Sequence, residues 1–408
     1  MSDLISFEEA LANVLYGVEP LGSERVSLGD APGRVLARPL HARRLLPPAD
    51  NSAMDGYALR VADQPGPLPV TRTIPAGSWP DELPPGEAAR IFTGAPVPPG
   101  ADVVVAQERT TRDGDRVTID DPEPLGTNIR KAGEDIEAGA LLLDAGATIT
   151  PAHVGLLAGQ GIVHVDVVRR PVVAVLATGD EVHEPEEPLP PGHIVSSNSH
   201  ALVARIREAG AVARNLGIAR DDRESLDAAL AGLDGVDVLL TIGGVSVGEY
   251  DFVKEAIAAR GGAQTHWKVR CRPGKPNAFG RIGSARWFGL PGNPVSCDVS
   301  FLMYVRPLLR GLLGHPDRFL PTRSAVLAED VRKRPGFLLL FRGVHEETAH
   351  GLRVRTTGPQ GSGIQSSMAR ATCLIVAPED AGTLPAGTSV RIVLLPGEPA
   401  AAELGIRG

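Results

Sequence analysis

Carboxylate side chains follow a glycine-rich loop in the segment LLTIGGVSVGEYDF, residues 239–252. The apolar start of this segment is typical of a buried strand, and a glycine-rich loop after a strand commonly holds phosphate through backbone N–H groups. Such a loop usually carries a lysine, but Glu249 and Asp251 follow here. Acids beside the loop indicate that a phosphate would be bound together with a cation. The loop residues suited to contact a phosphate are Gly243, Gly244, Ser246 and Gly248.

Acids also follow two preceding strand-like segments, VVAVLATG (172–179) and VARNLGI (212–218). Because the carboxyl ends of parallel strands meet at one edge of a sheet, we expect all these acids to lie together. Neighbouring carboxylates repel one another unless a cation neutralises them, and Mg²⁺ prefers carboxylate and phosphate oxygens. Each acid taken singly could also be a helix N-cap or a solvated loop charge. The acids at the strand ends are Asp180, Glu181, Asp221, Asp222 and Asp251.

Positive charges and a helix start occupy two later segments. RCRPGKPNAFG (270–280) carries Arg270, Arg272 and Lys275 around a Pro-Gly turn. LPGNPVSC places Asn293 as a helix N-cap and Pro294 at the first helical position, which leaves free backbone N–H groups for an anion. Together these segments predict a pocket for a phosphorylated ligand.

Two alternative motifs overlap the glycine-rich loop. Residues 244–248 match the G-x-S-x-G pattern of serine hydrolases, but the sequence has no HGGG-type oxyanion loop and Gly-Glu-Tyr separates the serine from the next helix. The glycine spacing also matches a P-loop, but Glu249 stands where the Walker A lysine is required. Neither a serine hydrolase nor an ordinary NTPase is favoured.

The elements that must position these residues divide along the chain. SFEEALANVLY (6–16) has helical apolar spacing with Ser6 as N-cap and Glu9 three positions later, a capping box. From residue 47 to 150 short β-branched runs alternate with Pro-Gly and Pro-Pro turns, and a helix and a strand return over 151–168. A helical layer that resumes after a β-rich block predicts that the β-rich module is inserted into the first domain.

The second half of the chain predicts two further folds. Strand and helix patterns alternate over 171–314, as in a doubly wound α/β sheet, and end in a long helix over 294–314. After Leu320 the pattern is that of strands in a small barrel or sandwich. The expected domains are a discontinuous N-terminal domain (1–46 and 151–170), an inserted β-rich module (47–150), an α/β domain (171–320) and a C-terminal β domain (321–408).

Composition narrows the functional class. The 41 basic and 49 acidic residues give a net charge of −8, which argues against a nucleic-acid surface and a polybasic membrane surface. The three cysteines lie far apart and the ten histidines show no zinc-ligand spacing, so no disulfide framework or structural zinc site is expected. The N-terminus is acidic where a signal peptide is basic, and no apolar run is long enough to span a membrane. We therefore expect a soluble, cytoplasmic protein.

With these residues assembled, the chain resembles the molybdopterin molybdenumtransferases, the family that includes the gephyrin E domain. The similarity rests on several segments in the family's order over nearly the whole chain. They are DNSAMDGYAL (50–59), FTGAPVPPGADVVVAQE (92–108), IRKAGEDIEAG (129–139), ATGDEV (177–182), GIARDD (217–222), TIGGVSVGEYDF (241–252), RPGKPNAFG (272–280), GLPGNPVS (289–296) and GSGIQSSM (361–368).

The resemblance implies an enzyme that, with Mg²⁺, inserts molybdate into adenylylated molybdopterin and releases AMP and molybdenum cofactor. It implies that the α/β domain binds molybdopterin and that the protein is a homodimer with active sites shared between chains. Its implied site residues are Asp55, Thr93, Asp135, Glu181, Asp221 and Asp251 as catalytic groups, Glu181, Asp221 and Asp251 as Mg²⁺ ligands, directly or through water, and Gly243, Gly244, Ser246, Gly248, Arg272, Lys275, Pro291, Gly292, Asn293, Pro294 and Ser367 for substrate binding.

Three positions depart from the family pattern. Arg272 stands where a lysine is common, Ser196 replaces a usual aspartate before Asn198, and Thr372-Cys373 replaces a usual Asn-Gly. Two other functions fit the resemblance: adenylylation of molybdopterin by the related α/β domain, and a non-catalytic binding or scaffold module. The added β-rich module argues for the insertion step, and the complete set of acids argues against a purely structural role.

Overall fold

The computed structural model describes residues 4–243 and 252–397. The chain forms two compact units, one made of Met1–Glu24 and Val168–Gly408 and the other of Arg25–Val167. Both are considered below within their described residues. None of the described helices combines the length and the apolar character needed to cross a bilayer.

The helices are short and most of them lie in the first unit. They are α1 (Phe7–Leu15), α2 (Pro151–Gly159), α3 (Ser197–Glu208), α4 (Arg223–Leu230), α5 (Phe252–Ala259), α6 (Pro294–Ser300), α7 (Arg306–Leu312) and α8 (Gln365–Ala369). Single 3₁₀ turns cover Leu28–Asp30, Val61–Asp63 and Gln107–Arg109.

The strands are numbered in chain order. Up to residue 168 they are β1 (Leu4–Ile5), β2 (Ser23–Ser27), β3 (Leu40–His41), β4 (Asn51–Ser52), β5 (Gly56–Leu59), β6 (Leu68–Ile74), β7 (Ala88–Ile91), β8 (Val103–Ala106), β9 (Thr110–Asp113), β10 (Arg116–Ile119), β11 (Ile129–Arg130), β12 (Leu141–Leu143) and β13 (His164–Val168). Beyond it they are β14 (Val172–Thr178), β15 (Val182–His183), β16 (Ile194–Val195), β17 (Val212–Ala219), β18 (Val238–Ile242), β19 (Ala263–Val269), β20 (Cys271–Arg272), β21 (Pro276–Ile282), β22 (Ala285–Leu290), β23 (Thr322–Leu327), β24 (Leu338–Thr348), β25 (Gly351–Thr356), β26 (Cys373–Ala377) and β27 (Ser389–Leu394).

A seven-stranded mixed sheet in the order β1-β19-β21-β22-β18-β14-β17 forms the centre of the first unit. Strands β22, β18, β14 and β17 run parallel, as the alternating sequence predicts. Along β14, Val173 and Val175 face a core that includes α1, α3, α6 and α7, whereas Ala174 and Leu176 face a second core with α4 and α5. Apolar residues point to both faces because helices cover both, so the doubly wound prediction is confirmed.

The first helix begins as predicted but packs elsewhere than expected. Ser6 Oγ accepts a hydrogen bond from the backbone N–H of Glu9 (3.0 Å). Ala10 and Val14 are fully buried in the core of the α/β sheet, and Arg286 of β22 donates to the Gly17 carbonyl (2.9 Å). We had assigned this helix to a discontinuous N-terminal domain, whereas the structure packs it within the α/β unit. The domain boundaries proposed from the sequence stay predictions.

The late helix differs from the single helix expected over 294–314. A π-helical turn, Phe301–Val305, joins α6 to α7. Phe301, Leu302 and Val305 of this turn are all buried, so the extra residue per turn keeps apolar side chains directed into the core.

A closed five-stranded barrel ends the first unit. Its strands pair in the order β24-β25-β23-β27-β26, and β26 pairs back to β24. This confirms the small barrel among the two architectures predicted after Leu320. Strand β20 pairs in parallel with β24, opposite Leu338 and Leu339, and Leu340 and Leu374 of the barrel share the core of the α/β sheet. The turn after β20 is thereby held against the barrel.

The second unit is β-rich, as the sequence predicts. A six-stranded sheet in the order β8-β5-β7-β6-β10-β9 carries most of its core, and the small ladders β4/β11, β3/β12 and β2/β13 flank it. Helix α2 begins with a capping box in which Thr150 and His153 exchange hydrogen bonds. This helix follows the β-rich block directly.

One ion pair ties two parallel strands together at their starts. Both carboxylate oxygens of Asp237, just before β18, accept from the Arg169 guanidinium (2.7 and 2.8 Å), and one also accepts from the backbone N–H of Val172 in β14 (2.8 Å). Burial alone would raise the pKa of Asp237, but the bonds from Arg169 and Val172 hold that pKa below its usual value.

We predict that Asp237→Asn lowers the free energy of unfolding by about 2 kcal/mol at neutral pH, the usual loss for hydrogen bonds to a buried charge. Since the pKa is depressed in the folded state, this stability is present above the ordinary aspartate pKa and is lost as the pH falls through the folded value. Urea unfolding at pH 7 and about pH 3 checks both statements. Asp234→Asn, an exposed acid of the same loop, is the control, and equal effects of the two variants would contradict the prediction.

Candidate functional site

Acids meet at the carboxyl ends of β14 and β17. Asp180 and Glu181 follow β14, and Asp221 and Asp222 follow β17. The backbone N–H of Asp221 donates to Asp180 Oδ1 (3.2 Å), which joins the two strand ends directly. Asp222 is the N-cap of α4 and accepts from the Ser225 N–H (2.7 Å), so this acid has the capping role that its position suggested.

The acids at this edge have no cationic ion-pair partner among residues 4–243 and 252–397. Burial raises the pKa of Asp221, and the charges of Asp180, Glu181 and Asp222 raise it further. Within the described part of the chain no ion pair involves these four acids, and the Arg220 guanidinium donates to the backbone carbonyl of Asp180 (2.9 Å) instead. The described residues form no preset group of three or more metal-ligating side chains. The edge is therefore a set of repelling carboxylates and not a finished metal cage.

Two glycines allow the strand ends to approach closely. Gly179 and Gly243 both have positive φ angles, +140° and +89°. A Cβ atom on Gly179 would lie 2.8 Å from Glu181 Oε2, and one on Gly243 would lie 3.0 Å from Thr178 Oγ1. Any larger residue would displace the Glu181 carboxylate or the end of β14.

A cavity of about 490 Å³ opens beside these strand ends, and we call it the Glu181 cavity. Asn198 Nδ2 donates to the Gly292 carbonyl (2.7 Å) and Gln365 Nε2 donates to Ser197 Oγ (2.6 Å) in its wall. Its polar lining comprises Thr178, Glu181, Ser196, Ser197, Asn198, Asn293 and Gln365. The lining combines one acid with several neutral hydrogen-bonding groups, which suits a polar ligand accompanied by a cation.

A second cavity of about 420 Å³ adjoins the first, because Asn293 lines both; we call it the Arg342 cavity. Arg272, Lys275 and Arg342 line it. In the described part of the chain none of these three cations forms an ion pair with a carboxylate. Uncompensated positive charge around a cavity indicates an anion site.

Arg342 is buried, with 1% of its surface exposed, and neutral groups hold it. Its Nε donates to Ser367 Oγ (3.1 Å) and its Nη2 to the Gly361 carbonyl (3.0 Å), while burial lowers its pKa. Ser367 is itself fully buried and shares a hydrogen bond with Thr357 (2.6 Å). We expected Ser367 to contact substrate, whereas the structure makes it the support of Arg342.

Sequence reasoning did not select Arg342. A single charged residue inside the apolar run FLLLFRGV was the available signal, since an isolated charge in a buried strand is rare unless it is used. Its contribution depends on β24 lying beside β20, which the sequence does not reveal.

The Pro-Gly-Asn-Pro turn, residues 291–294, lies between the two cavities. Pro294 opens α6 and Asn293 occupies its N-cap position, but the Asn293 side chain makes no capping hydrogen bond. The Val295 N–H donates to the Ser362 carbonyl (3.0 Å), so this N–H group is not free for the anion that we expected at the helix start. Pro291 follows β22, and Gly292, Asn293 and Pro294 line the Glu181 cavity.

Asp55 and Thr93 form a pair in the second unit. Asp55 Oδ1 accepts from both the backbone N–H and the hydroxyl of Thr93 (2.7 Å each). These two bonds lower the pKa of Asp55, and the nearby Arg90 charge lowers it further. Arg90 lies over the rings of Tyr57 and Phe92 at 5.2 and 5.0 Å. The result is an exposed, ionised carboxylate with one oxygen available.

Asp135 is exposed in the turn after β11. Strand β11 pairs antiparallel with β4, and Asp55 follows β4. The two acids therefore leave opposite ends of this ladder, and the structure does not bring them into contact. Gly244, Ser246, Gly248 and Asp251 lie outside the described residues.

Comparison with protein families matches three consecutive regions. Residues 5–161 match the MoeA N-terminal region (domain I and II), residues 174–311 a probable molybdopterin binding domain, and residues 324–395 the MoeA C-terminal region (domain IV).

Individual relatives extend over the whole chain. The chain is 38% identical to molybdopterin molybdenumtransferase 2 of Mycobacterium tuberculosis, over 96% of this chain and 99% of that protein. It is 35% identical to the molybdopterin molybdenumtransferase of Haemophilus influenzae, over 95% and 98%. Two crystal structures of the molybdopterin biosynthesis MoeA protein from Pyrococcus horikoshii superpose with TM-scores of 0.84 and 0.80 at 32% and 29% identity. They cover 96% of this chain and 99% and 100% of theirs.

We predict that Asp221→Asn raises the melting temperature at neutral pH, because it removes a carboxylate repelled by its neighbours. Because the pKa of Asp221 is raised in the folded state, the wild-type protein loses stability as the pH rises through that folded pKa. Below the ordinary aspartate pKa the carboxyl is protonated, so the variant's gain in melting temperature disappears there. The exposed setting limits the gain to the order of 1 °C.

Calorimetry at pH 7.5 and about pH 3 measures this difference. Asp222→Ala is the matched comparison, because it also removes a negative charge but loses the cap of α4 and should destabilise by about 1 kcal/mol. A lower melting temperature for Asp221→Asn at pH 7.5 would refute the repulsion argument.

Proposed function

The chain belongs to the MoeA family of molybdopterin molybdenumtransferases, and on that premise we propose that it joins molybdate to adenylylated molybdopterin with Mg²⁺ and releases AMP. Membership makes the protein a transferase of molybdenum cofactor biosynthesis that inserts molybdenum. The adenylylated form of the pterin, the magnesium ion and the release of AMP are the parts proposed.

Separation of charge between the two adjoining cavities carries the proposal. The acids at the ends of β14 and β17, of which Glu181 lines the Glu181 cavity, have no cationic partner in the described residues, and the cations at the Arg342 cavity have no acidic partner there. Direct pairing of the two groups would have been the simplest way to neutralise both. Their separation leaves one side ready for a cation with its phosphate and the other ready for an oxyanion.

Molybdate, a tetrahedral dianion, fits the Arg342 cavity. Arg272 offers several N–H donors, Lys275 offers an ammonium charge, and Arg342 adds the charge of a guanidinium whose Nε and Nη2 are bonded to the protein; all three line one cavity. Gln360 and Ser362 add neutral groups to the lining. In this assignment Ser367 acts indirectly, by fixing the Arg342 guanidinium.

Magnesium fits the acids at the other cavity. Mg²⁺ is usually held by one or two carboxylates, waters and substrate phosphates, so a preset cage of three side chains is not needed. Burial is the main cause of the raised pKa of Asp221 and the neighbouring acids raise it further; a divalent cation would relieve the repulsion from those acids. We assign Glu181 and Asp221 to it, together with Asp251 on the sequence pattern. When bound, the ion would offset the negative charge of the phosphates during cleavage of the phosphoanhydride.

Release of AMP by the purified protein tests the proposal. Incubation with molybdopterin-AMP and Mg²⁺ should yield AMP only when molybdate is added, whereas an adenylyltransferase would produce pyrophosphate from ATP and a scaffold would produce neither. Loss of one charged contact in Lys275→Ala should raise the half-saturating molybdate concentration about tenfold. That ratio should shrink at high salt, because an exposed charge is screened.

Arg281→Ala, which removes an exposed cation of β21 outside both cavities, is the control. Chromatography measures AMP across a molybdate titration. AMP release that is independent of molybdate in the wild-type protein would refute molybdenum insertion at this site.

We further propose a homodimer whose active sites take acids from both chains, with Asp55 from one protomer and Asp221 from the other. The two acids belong to separate compact units, and both are left without a cationic ion pair in the described residues. An exposed, ionised Asp55 with a spare oxygen suits such a shared role.

Mixing Asp55→Ala with Asp221→Asn, each inactive alone, should restore about a quarter of wild-type AMP release after subunit exchange. Half of the randomly formed dimers are mixed, and each mixed dimer has one intact site. Native mass spectrometry verifies the exchange. No recovery after verified exchange would refute the shared sites and leave the transferase assignment intact.

A further inference from the structure

The ring of Phe337 lies beneath two of the three cations of the Arg342 cavity. The distance from the ring centroid is 4.5 Å to Arg272 Cζ and 5.8 Å to Lys275 Nζ. Both distances are within the range of cation–π attraction, which is about 6 Å. Phe337 directly precedes β24, and Arg272 lies in β20, the strand that pairs with β24.

This aromatic partner differs in kind from a carboxylate partner. A carboxylate would orient the cations by occupying their N–H donors and cancelling their charge. A ring attracts the same cations through its face, and a guanidinium that lies over a ring keeps the donors in its own plane free. Phe337 therefore orients Arg272 and Lys275 and leaves both able to bind an anion.

The ring also accounts for the arginine at position 272. A planar, delocalised and weakly hydrated guanidinium lies over an aromatic face better than an ammonium does. Arg272 and Phe337 thus form a matched pair on two strands that are far apart in sequence but hydrogen-bonded to each other.

We propose that Phe337 is a positioning residue for the oxyanion: it holds Arg272 and Lys275 at the Arg342 cavity with their donors free for molybdate. The inference rests on the proposed function, which places molybdate at this cavity. It adds a residue that does not itself contact the oxyanion.

The expected loss of molybdate affinity on removing the Phe337 ring follows from how far the ring preorganises the two cationic side chains. Arginine and lysine side chains lose much rotamer freedom when they bind, and the ring removes part of that freedom before the anion arrives. Replacing the ring by an aliphatic side chain should weaken molybdate binding about three- to tenfold. A phenol ring should preserve it.

Isothermal titration with sodium molybdate alone, on the full-length protein, tests the inference. Phe337→Leu should weaken binding three- to tenfold, Phe337→Tyr should bind as the wild type, and the exposed control Phe319→Leu should be unchanged. In an Arg272→Lys background, Phe337→Leu should lower molybdate affinity by a smaller factor, because the guanidinium that lies over the ring has already been removed. A merely structural role predicts no such coupling.

Two outcomes separate this inference from the proposed function. If Phe337→Leu binds molybdate as tightly as the wild type while Lys275→Ala binds it more weakly, the positioning role of the ring is refuted and the oxyanion site stands. Wild-type affinity in both variants would overturn the oxyanion site and, with it, the inference. Melting curves show whether each variant is folded, and Phe337→Met replaces Phe337→Leu if the latter is not.

Discussion

The constraint on which this structure depends is repulsion between like charges that no oppositely charged side chain neutralises within the described residues. Four acids gather at one sheet edge and three cations gather at the next cavity, with no ion pair joining the groups in the described residues. Such an arrangement costs stability, which the surrounding core must offset. Strand β14 is buried on both faces, so the position from which Asp180 and Glu181 project is rigid. The acids and the cations are thus left to be neutralised by bound substrates of opposite charge.

The barrel has a chemical role as well as a structural one. It contributes Arg342, whose charge is buried without a carboxylate and is held by hydroxyl and carbonyl oxygens. A neutral oxygen satisfies an N–H donor without cancelling the charge, so the field of the guanidinium still reaches the cavity. Because Leu340 and Leu374 belong to the core of the α/β sheet, the barrel keeps Arg342 in register with Arg272 and Lys275. The same rule, orientation without neutralisation, applies to Phe337.

Local patterns in the sequence predicted what depends on local physics. Helix caps such as Ser6 and Asp222, the buried strands and the acids at their ends all follow from neighbouring residues. The sequence did not reveal Arg342 or Phe337, because their roles require β24 to pair with β20, more than sixty positions earlier. It also did not reveal that Ser367 supports Arg342, since a motif identifies a residue but not the direction of its side chain. The π-helical turn escaped prediction because the apolar run around it is compatible with a continuous helix.

Ser196, Thr372 and Arg272, the positions at which the sequence predicts departures from the pattern it resembles, each contact a neighbouring side chain. Ser196 shares a hydrogen bond with Ser199 (2.6 Å), Thr372 shares one with His345 (2.8 Å), and Arg272 lies over Phe337. Within the described residues, none of these contacts pairs an acid at the strand ends or a cation of the Arg342 cavity with a side chain of opposite charge. A change at such a position keeps these charges unpaired as long as no side chain of opposite charge enters either cavity. An acid placed beside Arg272, or a lysine placed beside Asp221, would form an ion pair within the protein. The paired charge would then be less able to bind a substrate of opposite charge.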